Sequence, residues 1–376
     1  MLKLVYGCLA FSLVACIFLF VAAARSGDGF HGMTKSMGDA LNSGATVLDA
    51  DRDGAITQTG NGKVAGYRRS GDETWSTKFD RFKETPSNPY GAGANDATAW
   101  CMTACPTALV GFESGYSAFG GVSERFVDEL NKLSPKSEDV MALTGRDTAF
   151  LRVSPPTNAT PQLYVLESSG RFTLLGVLNP SEVQPVQPRD RAVVGSARGK
   201  VGVLGQVALR AGRWQATDRS ITEVGLKNVC VSDDERWIGA VGTRISRTAF
   251  GSASGAAFGP PVTSGTCTVD ENGTTAIFTP RSAPETVVAA RYSAGGRTIW
   301  RHDFGAQRLL SPAGSPIVVT QAADGNVTAI DALTGRNTYS GKLVGVPFVC
   351  EDGSIVTADR QGHPHWVLSG KAAKPQ

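Results

Sequence analysis

The sequence predicts an all-β fold built from repeated four-stranded antiparallel units, preceded by an apolar N-terminal helix. Three observations carry that prediction. From Thr46 onward the chain consists of short apolar or alternating runs broken by Gly, Asp, Asn and Pro. No segment after residue 45 holds an amphipathic helical period over three turns. A glycine followed four residues later by an aromatic ring recurs at Val64–Trp75, Ala289–Trp300 and Thr328–Tyr339.

In chain order, the first element is Leu4–Ala24, an uncharged apolar run long enough to cross a bilayer as one helix. A signal anchor is the preferred reading, because the run exceeds an ordinary signal-peptide core. Two alternatives stay open. Ala22-Ala23-Ala24 offers a signal peptidase small residues, and Leu13–Cys16 resembles a lipobox. Lys3 on one flank and Arg25 and Lys35 on the other nearly balance the positive-inside count. The short N-terminal flank places the bulk of the chain outside the cytoplasm, on a single-pass membrane protein. The expected organisation is a helix at 1–24, a polar tether at 25–45, a β domain at 46–371 and a tail at 372–376.

Each repeat copy reads as a strand, a tight turn and a second strand with a large side chain. The turn glycine, at Gly71, Gly296 and Gly335, can take positive φ. A weaker copy places Gly170 before Leu174. Two further short strands precede each copy, which gives four strands in about 40 residues, the size of a propeller blade. Such units begin near Thr46, Trp100, Asp139, Pro180, Asn228, Gly265, Arg308 and Val346. The count is eight, with seven as the alternative. The unit near Trp100 is irregular, and the last shows three strands with no fourth. Trp75, Trp300 and Tyr339, with Trp214 in a similar place, read as packing between neighbouring sheets.

The segment Gly325–Tyr339 (GNVTAIDALTGRNTY) resembles the repeat of the bacterial pyrroloquinoline-quinone-like β-propeller family, which includes outer-membrane assembly factors of the BamB type and the quinoprotein dehydrogenases. The resemblance implies a β-propeller over most of residues 46–370. It does not transfer a function. The dehydrogenases hold their quinone with an adjacent cysteine pair, and this chain has none. No quinone cofactor is therefore expected.

A formal charge of +3, dispersed along the chain, is too small to imply a polyanion-binding surface, and no nucleic-acid partner is expected. Asp49, Asp51 and Asp53 (DADRDG) match the first half of an acidic calcium loop and are the candidate metal ligands, for a structural Ca²⁺. The closing carboxylate is missing, with Gly60 at position twelve and Thr57 at position nine. An Asp-rich surface turn is the competing reading. Of the soluble cysteines, Cys230 and Cys267 lie in consecutive units and are the foremost disulfide candidates. Cys101 and Cys105 can bridge only if the chain between them turns. Cys350 is the thiol left over, and small buried apolar cysteines are the alternative for all five. His363 and His365 flank Pro364 on one strand face but lack a third ligand. Hydrolase elbows, P-loops and HExxH motifs are absent, so no catalytic residue is assigned.

The expected function is a non-enzymatic binding or scaffolding propeller of the cell envelope, tethered through residues 4–24, with an envelope protein as partner. Two alternatives are a carrier of an apolar component such as a lipid for a membrane transporter, and a hydrolase or lyase sited in the funnel.

Overall fold

The computed structural model describes residues 45–78, residues 98–133 apart from 103 and 113–114, the strands between 140 and 204, and residues 228–369 apart from 250–254 and 344–346. Contacts divide the chain into two compact units, Met1–Lys35 and Ser36–Gln376, and every described residue lies in the second. The apolar run at 4–24 and the tether at 25–44 lie outside the described residues, as do Trp214 and Gly170. Among the described residues no helix is long and apolar enough to cross a membrane.

These residues form eight antiparallel sheets, each a meander of consecutive strands. The first holds β1 (Ala45–Ala50), β2 (Gly54–Thr59), β3 (Lys63–Arg68) and β4 (Glu73–Lys78). The second holds β5 (Thr98–Cys101), β6 (Ala108–Phe112) and β7 (Gly115–Phe119), followed by a helix, α1 (Glu124–Leu133). The third is β8 (Val140–Thr144), β9 (Thr148–Val153), β10 (Gln162–Glu167) and β11 (Phe172–Gly176), and the fourth β12 (Pro180–Val186), β13 (Arg191–Ser196) and β14 (Val201–Leu204). The fifth is β15 (Val229–Val231), β16 (Trp237–Val241), β17 (Ile245–Ala249) and β18 (Ala256–Phe258). The sixth is β19 (Val262–Asp270), β20 (Gly273–Pro280), β21 (Val287–Ser293) and β22 (Thr298–Gly305). The seventh is β23 (Arg308–Leu309), β24 (Ile317–Gln321), β25 (Asn326–Asp331) and β26 (Asn337–Lys342), and the eighth β27 (Phe348–Val349), β28 (Ile355–Ala358) and β29 (Pro364–Leu368).

First strands lie beside first strands: β1 adjoins β5, β5 adjoins β8, β12 adjoins β15, β15 adjoins β19, and β27 returns to β1. The return is a packed seam, in which Val47, Ala50 and Ala55 share one apolar cluster with Cys350 and Val356. Sheets that follow one another around a closing ring, each with its first strand innermost, make a β-propeller. The burial pattern follows from that. Second strands are covered on both faces and read as continuous buried runs, as in β2 and β20, whereas the outer strands β4 and β26 alternate between exposed and half-buried.

The repeat glycines sit where the sequence places them. Gly71, Gly296 and Gly335 have φ of 91°, 81° and 70°, each in the turn before an outer strand. The outer-strand aromatics reach across to the next sheet. Trp75 stacks on Phe119 at 4.3 Å between ring centroids, and its Nε1 donates to the Pro106 carbonyl at 2.6 Å. Trp300 packs among Ile277, Val318 and Ile330 and donates to the Leu333 carbonyl at 3.1 Å. Tyr339 packs in the cluster that joins the seventh and eighth sheets.

The helix α1 is absent from the sequence reading. Phe126, Val127 and Leu130 supply its apolar face, too short a run to register as three turns, and they pack on Leu109 and Tyr116 of the second sheet and on Met102 just after β5. Glu124 in the first turn and Lys132 in the last complement the helix dipole. Asn131 then treats β7 as a neighbouring strand would. Its Oδ1 accepts from the Tyr116 N–H at 2.7 Å, and its Nδ2 donates to the Tyr116 carbonyl at 3.1 Å. At Tyr116 the open edge of this sheet is capped by a side chain.

Candidate functional site

The aspartates singled out in the sequence lie on the β1–β2 hairpin, against the second sheet. Asp49 is buried: Oδ1 accepts from the Ala50 N–H at 2.9 Å and Oδ2 from the Cys101 N–H at 2.8 Å. Asp51 closes its own turn, with Oδ1 accepting from the Asp53 and Gly54 N–H groups at 2.8 and 3.0 Å. Its Oδ2 reaches across to the Cys105 N–H at 2.7 Å. Asp53 is exposed and pairs with Arg52 at 3.3 Å. In this arrangement Asp49 and Asp51 accept from backbone amides, while Asp53 points outward beside Arg52. Two carboxylates face backbone amides, because the hairpin is pressed against a loop whose N–H groups need acceptors. Burial pushes the Asp51 carboxyl up to about 6 against the pull of those hydrogen bonds, with Asp49 and Asp53 adding to the rise.

The loop that they hold is closed by a disulfide between Cys101 and Cys105, whose Cα atoms are 4.9 Å apart. Cys101 ends β5, and residues up to Cys105 turn back, which is the condition the spacing demands. Asp51, Cys101 and Cys105 bring metal-capable atoms within 4.8 Å of one another, but both sulfurs are spent on the disulfide.

Cys230 on β15 and Cys267 on β19 form the second disulfide, with Cα atoms 5.6 Å apart, and it joins the first strands of the fifth and sixth sheets. Gly239 makes room for it, since a Cβ there would lie 2.7 Å from the Cys230 Sγ. Beside this bridge lie two buried arginines that sequence reading missed. Arg247 stacks on Trp237 at 3.4 Å and donates to the Asp270 and Glu271 carbonyls, each at 2.8 Å. Arg291 is 2% exposed and grips Asp270 through both carboxylate oxygens at 2.7 and 2.8 Å. One charge within a short strand is the sole signal either leaves in the sequence. Cys350 is buried at the closing seam, outside both disulfides.

That closing seam also gathers His363 and His365. Both imidazoles lean on Asp359, at 3.2 and 3.4 Å from Oδ2. Burial would raise Asp359, but the His363 amide and the two imidazoles outweigh it and hold the carboxyl below its usual range. His363 meets the Tyr67 ring edge-on at 5.8 Å. Tyr67 donates to Glu73 at 3.1 Å, and Glu73 pairs with Lys63 at 2.7 Å. Burial, then the Glu73 carboxylate, pushes the Tyr67 hydroxyl up to about 12. Arg69 lies over Trp366 at 5.7 Å and donates to the Ser369 hydroxyl at 3.0 Å. Thr57 donates to the Gly362 carbonyl at 2.6 Å.

No family model matches the chain, and no curated protein matches it. Among solved structures, the chain is similar to BamB from Moraxella catarrhalis at 14% identity and a TM-score of 0.49, covering 88% of this chain and 98% of that one. It is similar to the computationally designed Ika8 protein at 14% identity and a TM-score of 0.47, covering 86% and 96%. A third similarity, at 11% identity and a TM-score of 0.44 over 87% and 75%, is to the dihydro-heme d1 dehydrogenase NirN.

Proposed function

We propose that the chain is a non-enzymatic binding or scaffolding propeller of the cell envelope, a diverged relative of the pyrroloquinoline-quinone-like repeat, in which each of the eight sheets is one blade. In this reading residues 4–24 tether it to a membrane and the propeller lies on the extracytoplasmic side. One observation carries the proposal: among the described residues, the side chains most capable of chemistry are engaged in structural pairings within and between sheets. Asp49 and Asp51 hold the amides of Cys101 and Cys105, four cysteines are paired, and His363 and His365 share Asp359. Two disulfides also suit an oxidising compartment.

Crosslinking in intact membranes, followed by identification of the product, tests the reading. A stable crosslinked protein partner is expected. Recovery of the monomer alone would sink it. Lipid released from the purified chain and detected by mass spectrometry would favour a carrier instead.

A further inference from the structure

The sequence leaves His363 and His365 without a third ligand, and the fold supplies one. The β28–β29 hairpin runs one pair past its strands. The Asp359 N–H donates to the His363 carbonyl at 3.0 Å, and the Gly362 N–H donates to the Asp359 carbonyl at 3.0 Å. Asp359 therefore lies opposite His363, as Thr357 lies opposite His365 in the strand register. Residues two apart on a strand share a face, so the carboxylate and both imidazoles stand on one side of the hairpin.

The carboxylate is aimed by its own turn. Oδ1 accepts from the Gln361 and His363 N–H groups, each at 2.9 Å, which leaves Oδ2 to the side chains. His363 Nδ1 lies 3.2 Å from Oδ2 and His365 Nε2 lies 3.4 Å from it. The turn is anchored in its turn on the first sheet, where Thr57 donates to the Gly362 carbonyl at 2.6 Å.

We propose that Asp359, His363 and His365 form a Zn²⁺ site that clips the β28–β29 hairpin. Nitrogen and oxygen donors about 2.1 Å from an ion stand about 3.0–3.4 Å apart in octahedral or tetrahedral order. Both nitrogen-to-Oδ2 spacings fall in that range. Closing the third edge, between the imidazoles, takes side-chain rotation alone: their side chains are 54% and 61% exposed, whereas that of Asp359 is 32% exposed and held by its turn. Two imidazoles and one carboxylate select Zn²⁺ over Ca²⁺, which prefers an all-oxygen shell. Three protein ligands leave the fourth position to water. The site needs no partner protein and stands independently of the scaffold reading.

The test strips the full chain in detergent with a chelator and titrates it calorimetrically with Zn²⁺ alone. Saturable uptake is expected, and His363→Gln, His365→Gln and Asp359→Asn should each weaken it at least about tenfold. Asparagine keeps an oxygen for the turn amides, so that variant separates loss of a ligand from loss of the hairpin. His302→Gln, whose imidazole sits on the Gly335 carbonyl, should take up Zn²⁺ as wild type does. Zn²⁺ at about 100 times Kd should raise the thermal midpoint of wild type by about 3 °C and leave that of His365→Gln unmoved. Where a variant fails to fold, footprinting of wild type with diethyl pyrocarbonate decides instead: Zn²⁺ should shield His363 and His365 and not His302. No saturable uptake, uptake unchanged in the histidine variants, equal uptake of Ca²⁺, or equal footprints with and without Zn²⁺ would each overturn the proposal.

Discussion

The seam between the sixth and seventh sheets and the seam between the first and second solve one packing problem with different materials. The former is apolar and periodic: Ile277, Ala289, Val318 and Ile330 interdigitate, and Trp300 spans the gap. The latter keeps an apolar centre around Ile56, Val64 and Val110 but adds two carboxylates and a disulfide loop. Where the repeat is regular, a ring at one fixed position suffices. Where it degenerates, polar groups take over part of the seam and must each find a partner.

That contrast can be broken experimentally. The largest effect is expected from the disulfide across the fifth and sixth sheets. Cys230→Ser with Cys267→Ser opens a crosslink of 37 residues and should cost about 4 kcal/mol by chain entropy, against about 2 kcal/mol for the Cys101–Cys105 pair, separated by 4. Urea unfolding of both double variants would show whether the order holds. Next, Trp300→Ala should cost about 3 kcal/mol, the low end for a large aromatic because its ring is only half-buried. An equal loss from an exposed aromatic elsewhere would show that the position is not special.

The polar seam should respond to pH instead. The Asp51 carboxyl titrates near 6 when folded and near 3.8 when unfolded, so the folded state binds the extra proton. Stability contributed by this group rises as pH falls from about 7 to about 4, by at most about 3 kcal/mol. Denaturation midpoints measured across that window should lose this rise in Asp51→Asn. Smallest is the edge cap: Asn131→Ala should cost about 1 kcal/mol and speed amide exchange at Tyr116 in particular.

How much of this was legible depended on whether a residue's role repeats. The first strands of the eight sheets begin within three residues of the unit starts read from sequence, because glycine turns and apolar runs recur there. The turns at Gly71, Gly296 and Gly335 and the inter-sheet rings of Trp75, Trp300 and Tyr339 were visible for that reason. Asp49 and Asp51 were visible too, but the second oxygen of each accepts from a backbone amide on a segment some 50 residues away, which no local spacing encodes. Helix α1 escaped because Phe126, Val127 and Leu130 make less than three turns of pattern, and its cap on β7 is a tertiary fact. Arg247, Asp270 and Arg291 occur once each and leave no periodic trace.

The return of β27 and β28 onto β1 has a consequence in time. Thr57 and its acceptor Gly362 are separated by 305 residues, so the apolar face carrying Val47, Ala50 and Ala55 is made long before anything exists to cover it. At ordinary rates of synthesis that interval is roughly 15–60 s. During it the earliest sheet carries an uncovered, sticky flank, and its need for shelter is greatest while the chain is still being born.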